Sequence, residues 1–396
     1  MTAHAEGHKS DLLSASTGSE WVACSPPNDA DEPARQQAAR NRDKLDQLLT
    51  ALLLSENTMI LAGLGTTVCL NSQGKQLVAP TMSSLWDAAV ATRDQASLAQ
   101  LTSRVRYVAP ASGNNIELLL SQCQLSQQLD PDSTVEKFID DAEATIVQKC
   151  RFVSDTTELT IHEAFLRKVA RRSTRQPRTK VFTTNYDLCF ETAASHARFI
   201  VVDGFSHTQP QEFDGSYFAY DLVRREQDRE IPDFIQNVFH LYKIHGSVDW
   251  ELRGAQVVKT PSPPKPLIIY PRHSKFEASY DQPFIEMMSR FQAALRQPHT
   301  GLLVVGVGFN DPHIWQPIIS AIRSNISLKA VIIDPSLANS TAQPLKQVEN
   351  LIRAGDSRLA LLALRFEELV PILPDLVAAT EEEKHRGRLQ APGERQ

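Results

Sequence analysis

Five short stretches of this sequence gather side chains able to bind or activate a ligand. Gly63-Leu64-Gly65-Thr66-Thr67 combines two glycines with two hydroxyls. Glycines let a backbone come close to a pyrophosphate, and a helix start just beyond offers free N–H groups. Thr183-Thr184-Asn185-Tyr186-Asp187 puts five hydrogen-bonding side chains in a row, where a single helix cap accounts for only one. His245-Gly246-Ser247 sets an imidazole beside a glycine, and an imidazole ordinarily titrates at about 6.5, close to working pH. Gly306-Val307-Gly308-Phe309-Asn310-Asp311-Pro312 adds glycines, an amide and an acid, with Pro312 suited to a first helical turn. Asp334 is an acid that could accept hydrogen bonds from a ribose diol. Each stretch has an ordinary explanation: a tight turn, an N-cap, a core histidine. Their recurrence is the signal.

What they share is position. Apolar runs of strand length lead into them at Thr58–Ala62, Lys180–Asn185, His240–Ile244, Leu302–Val305 and Ala330–Asp334, with a further run at Phe199–Val202. Short apolar strands separated by helical patterns predict a buried parallel sheet with helices on both faces, an α/β, Rossmann-like fold. Ligands of such sheets sit beyond the carboxyl ends of the strands, where all five stretches fall. A helix is expected over Asp43–Leu54, from Leu45, Leu48, Leu49 and Leu52. Helical patterns fill residues 83–178, which read as a helical module inserted after the first strand and loop. Residues 1–40 are polar and lack periodicity, so a mobile tail is expected there, and another over 377–396. The single catalytic domain is expected to span 41–376.

Bulk properties narrow the classes. A net charge of −6 shows no basic excess, which argues against a dominant nucleic-acid surface. The basic run from Arg167 to Arg178 reads as a solvated helix end. The five cysteines are scattered without any C-x2-C or C-x4-C pair, so neither a zinc ribbon nor a disulfide framework is expected, and no metal. That usage fits a reducing cytoplasm, and no apolar run reaches membrane-spanning length. A hydride-transfer dinucleotide fold fits poorly, because Val68 stands where a third glycine is needed and Asp87 lies in a helical pattern.

In this order, the Gly63–Thr67 loop, Thr183–Asp187, His245-Gly246, Gly306-Val307-Gly308 and Asp334 resemble the sirtuin family over roughly residues 55–340. The resemblance implies NAD as the substrate. It implies that Gly63 and Gly65 hold the diphosphate, that Asn185 and Asp187 line the nicotinamide pocket, and that His245 is the general base. Thr66, Thr67, Thr184, Tyr186, Gly306, Gly308, Phe309, Asn310 and Asp334 complete the expected nucleotide site. Deacylases of that family carry a four-cysteine zinc module that shapes the peptide cleft, and this chain lacks it; Thr184 also replaces the usual glutamine.

The strings around Phe182–Leu188, Leu241–Ser247, Leu267–Pro271 and Gly308–Ile314 resemble a bacterial sirtuin-like subgroup, NAD hydrolases of anti-phage defence. Within it the likeness is to the subunit partnered with a HerA-type ATPase. That implies a homo-oligomer acting with this ATPase, depleting NAD during infection and cleaving it to nicotinamide and ADP-ribose. Nicotinamide leaves neutral, so such a site needs no strong acid. It must stabilise an oxocarbenium-like ribose and present a water, tasks that fit Asn185 and His245, while Asp187 could hold the carboxamide. Deacylation or ADP-ribosyl transfer, a non-catalytic NAD or ADP-ribose sensor, and a scaffold are the alternatives.

Overall fold

The computed structural model describes residues 11–377 apart from 19, 27–29, 74–78, 92, 111–112, 226–232, 271–281 and 310. The strands are β1 (Asp11–Ser14), β2 (Trp21–Ala23), β3 (Asn57–Ala62), β4 (Lys180–Thr183), β5 (Ile200–Val202), β6 (Val223–Arg224), β7 (Asp233–Phe234), β8 (Val238–Lys243), β9 (Trp250–Arg253), β10 (Gln256–Lys259), β11 (Thr300–Val305), β12 (Lys329–Ile333) and β13 (Leu359–Ala363). Nine of them form one sheet in the order β2-β1-β13-β12-β11-β3-β4-β8-β5. From β13 through β5 every neighbouring pair is parallel, and β1 adds to β13 antiparallel. The expected parallel α/β sheet with helices on both faces is the fold of the chain.

Strand alternation divides these residues between two cores. Ile60, Leu303, Val331 and Leu362 face one layer, with Leu45 and Leu49 of the helix Glu32–Leu53 and Phe165 of the helix Thr160–Val169. Met59, Leu61, Leu302, Val304 and Ile332 face the other, against Met287 and Phe291 of Phe284–Arg296 and Ile314 and Trp315 of Pro312–Ser324. Burial on both faces explains why these strands read as continuous apolar runs rather than alternating ones.

A third core belongs to the helices Met82–Val90, Gln95–Arg104, Ile116–Leu129 and Ser133–Cys150. Their starts are written locally. Thr81, Asp94, Asn115 and Asp132 each accept a hydrogen bond from a first-turn N–H, the ordinary N-cap arrangement. Tyr186 and Leu188 pack against this third core, so the module leans on the loop that follows β4.

The expected tail over 1–40 is corrected by the structure. Residues 11–23 supply β1 and β2, and the first helix begins at Glu32 instead of near Asp43. β1 has only Leu12 and Leu13 as apolar residues, too few for a periodic signal. Each is fully buried, one in each core layer. Residues 1–10 and 378–396 lie outside the described residues. No helix among the described residues is long and apolar enough to cross a membrane.

Candidate active site

The strand ends that carry the five stretches are level. Ala62 pairs with Thr183 on one side and Val305 on the other, Thr183 with Lys243, and Val305 with Ile333. After β3 the chain places β4, β5 and β8 on one side of it, in the sheet order β4-β8-β5, and β11 flanks β3 on the other. The reversal of strand order therefore lies between β3 and β11, where a crevice opens in folds of this type.

At that point two loops touch backbone to backbone. Gly63 N donates to Val305 O (3.0 Å) and Gly65 N to Gly306 O (2.9 Å). A Cβ on Gly63 would lie 2.7 Å from Gly306 O, and one on Gly65 2.5 Å from Gly306 Cα; Gly306 itself has φ +61°. The Cβ sides of Gly63 and Gly65 are thus filled by the Gly306 loop. Gly308 has open space around it.

Asn185 locks the first loop to the end of β4. Its Nδ2 donates to Gly63 O (3.1 Å) and to Thr67 Oγ1 (2.8 Å). Gly63 O can only accept, which fixes the orientation of the amide. With both Nδ2 hydrogens committed, Oδ1 is the atom Asn185 can offer to a ligand. The Thr67 hydroxyl in turn donates to Asp187 Oδ2 (3.2 Å), and Asp187 Oδ1 accepts from Cys189 N (3.0 Å) at the start of the helix Cys189–Ala197. Asp187 reaches the pocket wall, yet each of its oxygens already anchors a neighbour.

His245 stands two residues past β8. Gly246 makes the turn that holds it, with φ +83° and a backbone so close to the next segment that a Cβ there would meet Leu267 O at 2.3 Å. His245 O accepts from Ile269 N (2.8 Å). His245 Nε2 lies 2.8 Å from His313 Nε2. In a neutral pair one of these nitrogens must donate and the other accept. At Nε2, His245 can therefore take a proton from a substrate or water only once that nitrogen parts from His313.

Behind the site, the buried Lys243 Nζ donates to Asp187 O, to Tyr186 O (3.3 Å) and to Glu191 Oε1 (3.0 Å). Burial raises the Glu191 carboxyl, while the Lys243 ammonium beside it acts the other way. Lys243→Met removes the cation and leaves two carbonyls and a carboxyl without it. The expected loss is about 3 kcal/mol of unfolding free energy, read from the urea midpoint at unchanged slope.

The pocket, about 200 Å³, is lined by Leu64, Thr184, Asn185, Tyr186, Asp187, His245, Gly308 and Asp311 from the strand-end loops. Pro80, Met82, Leu85, Glu117 and Cys150 form the opposite wall. This second wall has no signature in the sequence, where Glu117 reads only as a first-turn acid and Cys150 as a core residue. Burial pushes the Cys150 thiol up to about 12, which leaves it no nucleophile near neutrality. The Tyr186 hydroxyl is raised well above its ordinary value, by burial first, and donates to Ile269 O (2.6 Å). His162, fully buried between Phe190 and Phe366, is lowered to about 4 by burial and stays neutral.

Other expected nucleotide contacts lie elsewhere. Thr66 and Thr67 are completely buried beneath the loop, the former donating to Gly63 O (2.8 Å). Gly306 supports the first loop. Phe309 packs on Trp315 at 5.1 Å. Asp334 accepts from Ser336 N (2.8 Å) at the end of β12, off the pocket wall. Asn310 lies outside the described residues. Two functional candidates carry no local signal: Lys243 looks like the polar end of an apolar strand and His313 like the opening of a helix, whereas Asp311 is the acid of the Gly306–Pro312 stretch.

No curated protein matches the sequence. Among solved structures, a Sir2 homologue in complex with 2′-O-acetyl ADP ribose aligns with 88% of this chain and 99% of its own at 12% identity, TM-score 0.41. A Sir2 homolog–NAD complex aligns over 83% and 91% at 13% identity, TM-score 0.41. A Sir2 homologue–ADP ribose complex aligns over 87% and 98% at 13% identity, TM-score 0.41. Residues 179–350, the span that holds Asn185, His245 and the Gly306–Asp311 loop, match the family described as the SIR2-like domain.

Proposed function

We propose that the pocket binds NAD and that the protein hydrolyses its nicotinamide–ribose bond. The observation that carries this reading is the convergence of Asn185 and His245 on one pocket beside the sheet's switch point. A polar acceptor fixed by its own hydrogen bonds and an imidazole at the same wall are what such a cleavage needs. As nicotinamide departs, the bonding pair of the glycosidic bond moves onto its ring nitrogen and cancels the positive charge. Asn185 Oδ1 accepts from a ribose hydroxyl or from the attacking water, holding it without a change of charge. Water adds to the anomeric carbon and gives its proton to His245. The balance is NAD and water to nicotinamide, ADP-ribose and a proton.

The likeness of the strand-end strings to sirtuin-like defence hydrolases extends the proposal. In it the protein is a cytoplasmic homo-oligomer that works with a HerA-type ATPase subunit and lowers cellular NAD during phage infection. The absence of a four-cysteine module from the sequence favours water over an acyl-peptide as acceptor.

The test is product analysis by liquid chromatography and mass spectrometry, with the purified chain alone and together with a HerA-type ATPase. Equal amounts of nicotinamide and ADP-ribose are expected. O-acetyl-ADP-ribose or ADP-ribosylated protein would replace hydrolysis by transfer, and intact NAD under both conditions would refute cleavage.

A further inference from the structure

His245, Asp311 and His313 each bring one potential ligand atom to within 4.8 Å of the others. We propose that these three side chains bind one divalent transition cation of the zinc class, at the pocket wall between the β8 and β11 loops. Cation uptake is measured directly and does not depend on NAD cleavage; a cation held on His245 Nε2 occupies the lone pair that the base would use, so the loaded form and the hydrolytic form exclude each other.

The donor chemistry selects the class. Two imidazole nitrogens and one carboxylate suit zinc, cobalt or nickel and leave a fourth position for water or a ligand. Magnesium and calcium require mostly oxygen donors, and only Asp311 supplies one here. The convergence is built by the backbone. His245 is held by the Gly246 turn and the Ile269 N–H. Asp311 occupies the N-cap of the thirteen-residue helix Pro312–Ser324 yet makes no capping hydrogen bond. An aspartate at that position ordinarily caps its own helix; this one is turned toward the histidines. His313, in the first turn of the same helix, is half-buried.

The two Nε2 atoms are 2.8 Å apart, a hydrogen-bond distance. Tetrahedral zinc with bonds of about 2.0–2.1 Å places two nitrogen ligands about 3.3 Å apart. Loading therefore asks the rings to part by roughly half an ångström, within reach of a side-chain rotation of His313. Each imidazole then carries its hydrogen on Nδ1 and presents the Nε2 lone pair to the cation.

The experiment strips the full chain with chelator and titrates it with cobalt chloride, followed by visible d–d absorption, and with zinc chloride in a calorimeter. Saturation at one equivalent is expected, with affinity at least about tenfold weaker in His313→Ala and in Asp311→Asn. Circular dichroism and melting of the metal-free variants check folding; His313→Gln keeps much of the ring's volume if the alanine variant fails. Lack of saturable uptake by the wild-type protein overturns the proposal, as does uptake of equal affinity in folded variants.

Discussion

His245→Ala is expected to lower the rate of NAD cleavage by about 10²- to 10⁴-fold, the range of a lost general base. The effect belongs in kcat, with KM little changed, because the imidazole acts on the proton that leaves the attacking water. The geometry adds a condition. His245 Nε2 is shared with His313, so a substrate hydroxyl or water must take His313's place before the base can act at that nitrogen. Single-turnover measurements at saturating NAD isolate the chemical step. Wild-type rates in a folded His245→Ala protein would remove the imidazole from the mechanism.

The second large effect is expected of Asn185→Ala. Losing one preorganised polar contact at a reacting centre costs about 10²- to 10³-fold. This amide has a second duty that His245 lacks. Its Nδ2 ties Gly63 O to Thr67 Oγ1 inside the protein, and Thr67 reaches Asp187. Truncation leaves a buried carbonyl and hydroxyl without that donor, at about 1–3 kcal/mol of stability. Turnover and urea unfolding should therefore fall together. A folded variant with normal turnover would refute the catalytic role, whereas normal stability would refute the structural one.

The strand core was legible in the sequence because both faces of the sheet are covered, which turns β3, β11 and β12 into unbroken apolar runs. The places where ligand groups gather were legible for a related reason: polar residues directly after such runs have few structural uses. The order of strands was not, since pairing of β3 with β11 joins residues more than two hundred positions apart. The same distance hides the site's finer roles. His313 meets His245 across 68 residues, and nothing local to either announces the contact. Glycines 63 and 65 look, in the sequence, like room made for a ligand; the structure adds that the Cβ side of each faces another loop. Residues 11–23 carry no periodic signal because β1 holds its place through two leucines, one per face.

Those first strands also bear on how the chain behaves in company. β13 is Leu-Ala-Leu-Leu-Ala, apolar throughout and buried, and without β1 its outer edge would offer an open row of backbone donors and acceptors. Such an edge templates pairing between molecules. β1 closes it from within, and the sheet then ends in the three-residue strands β2 and β5, too short to recruit a stranger. A chain begun after residue 24 would keep every residue of the pocket and lose its guard against self-association, so crowding, more than chemistry, would decide its fate.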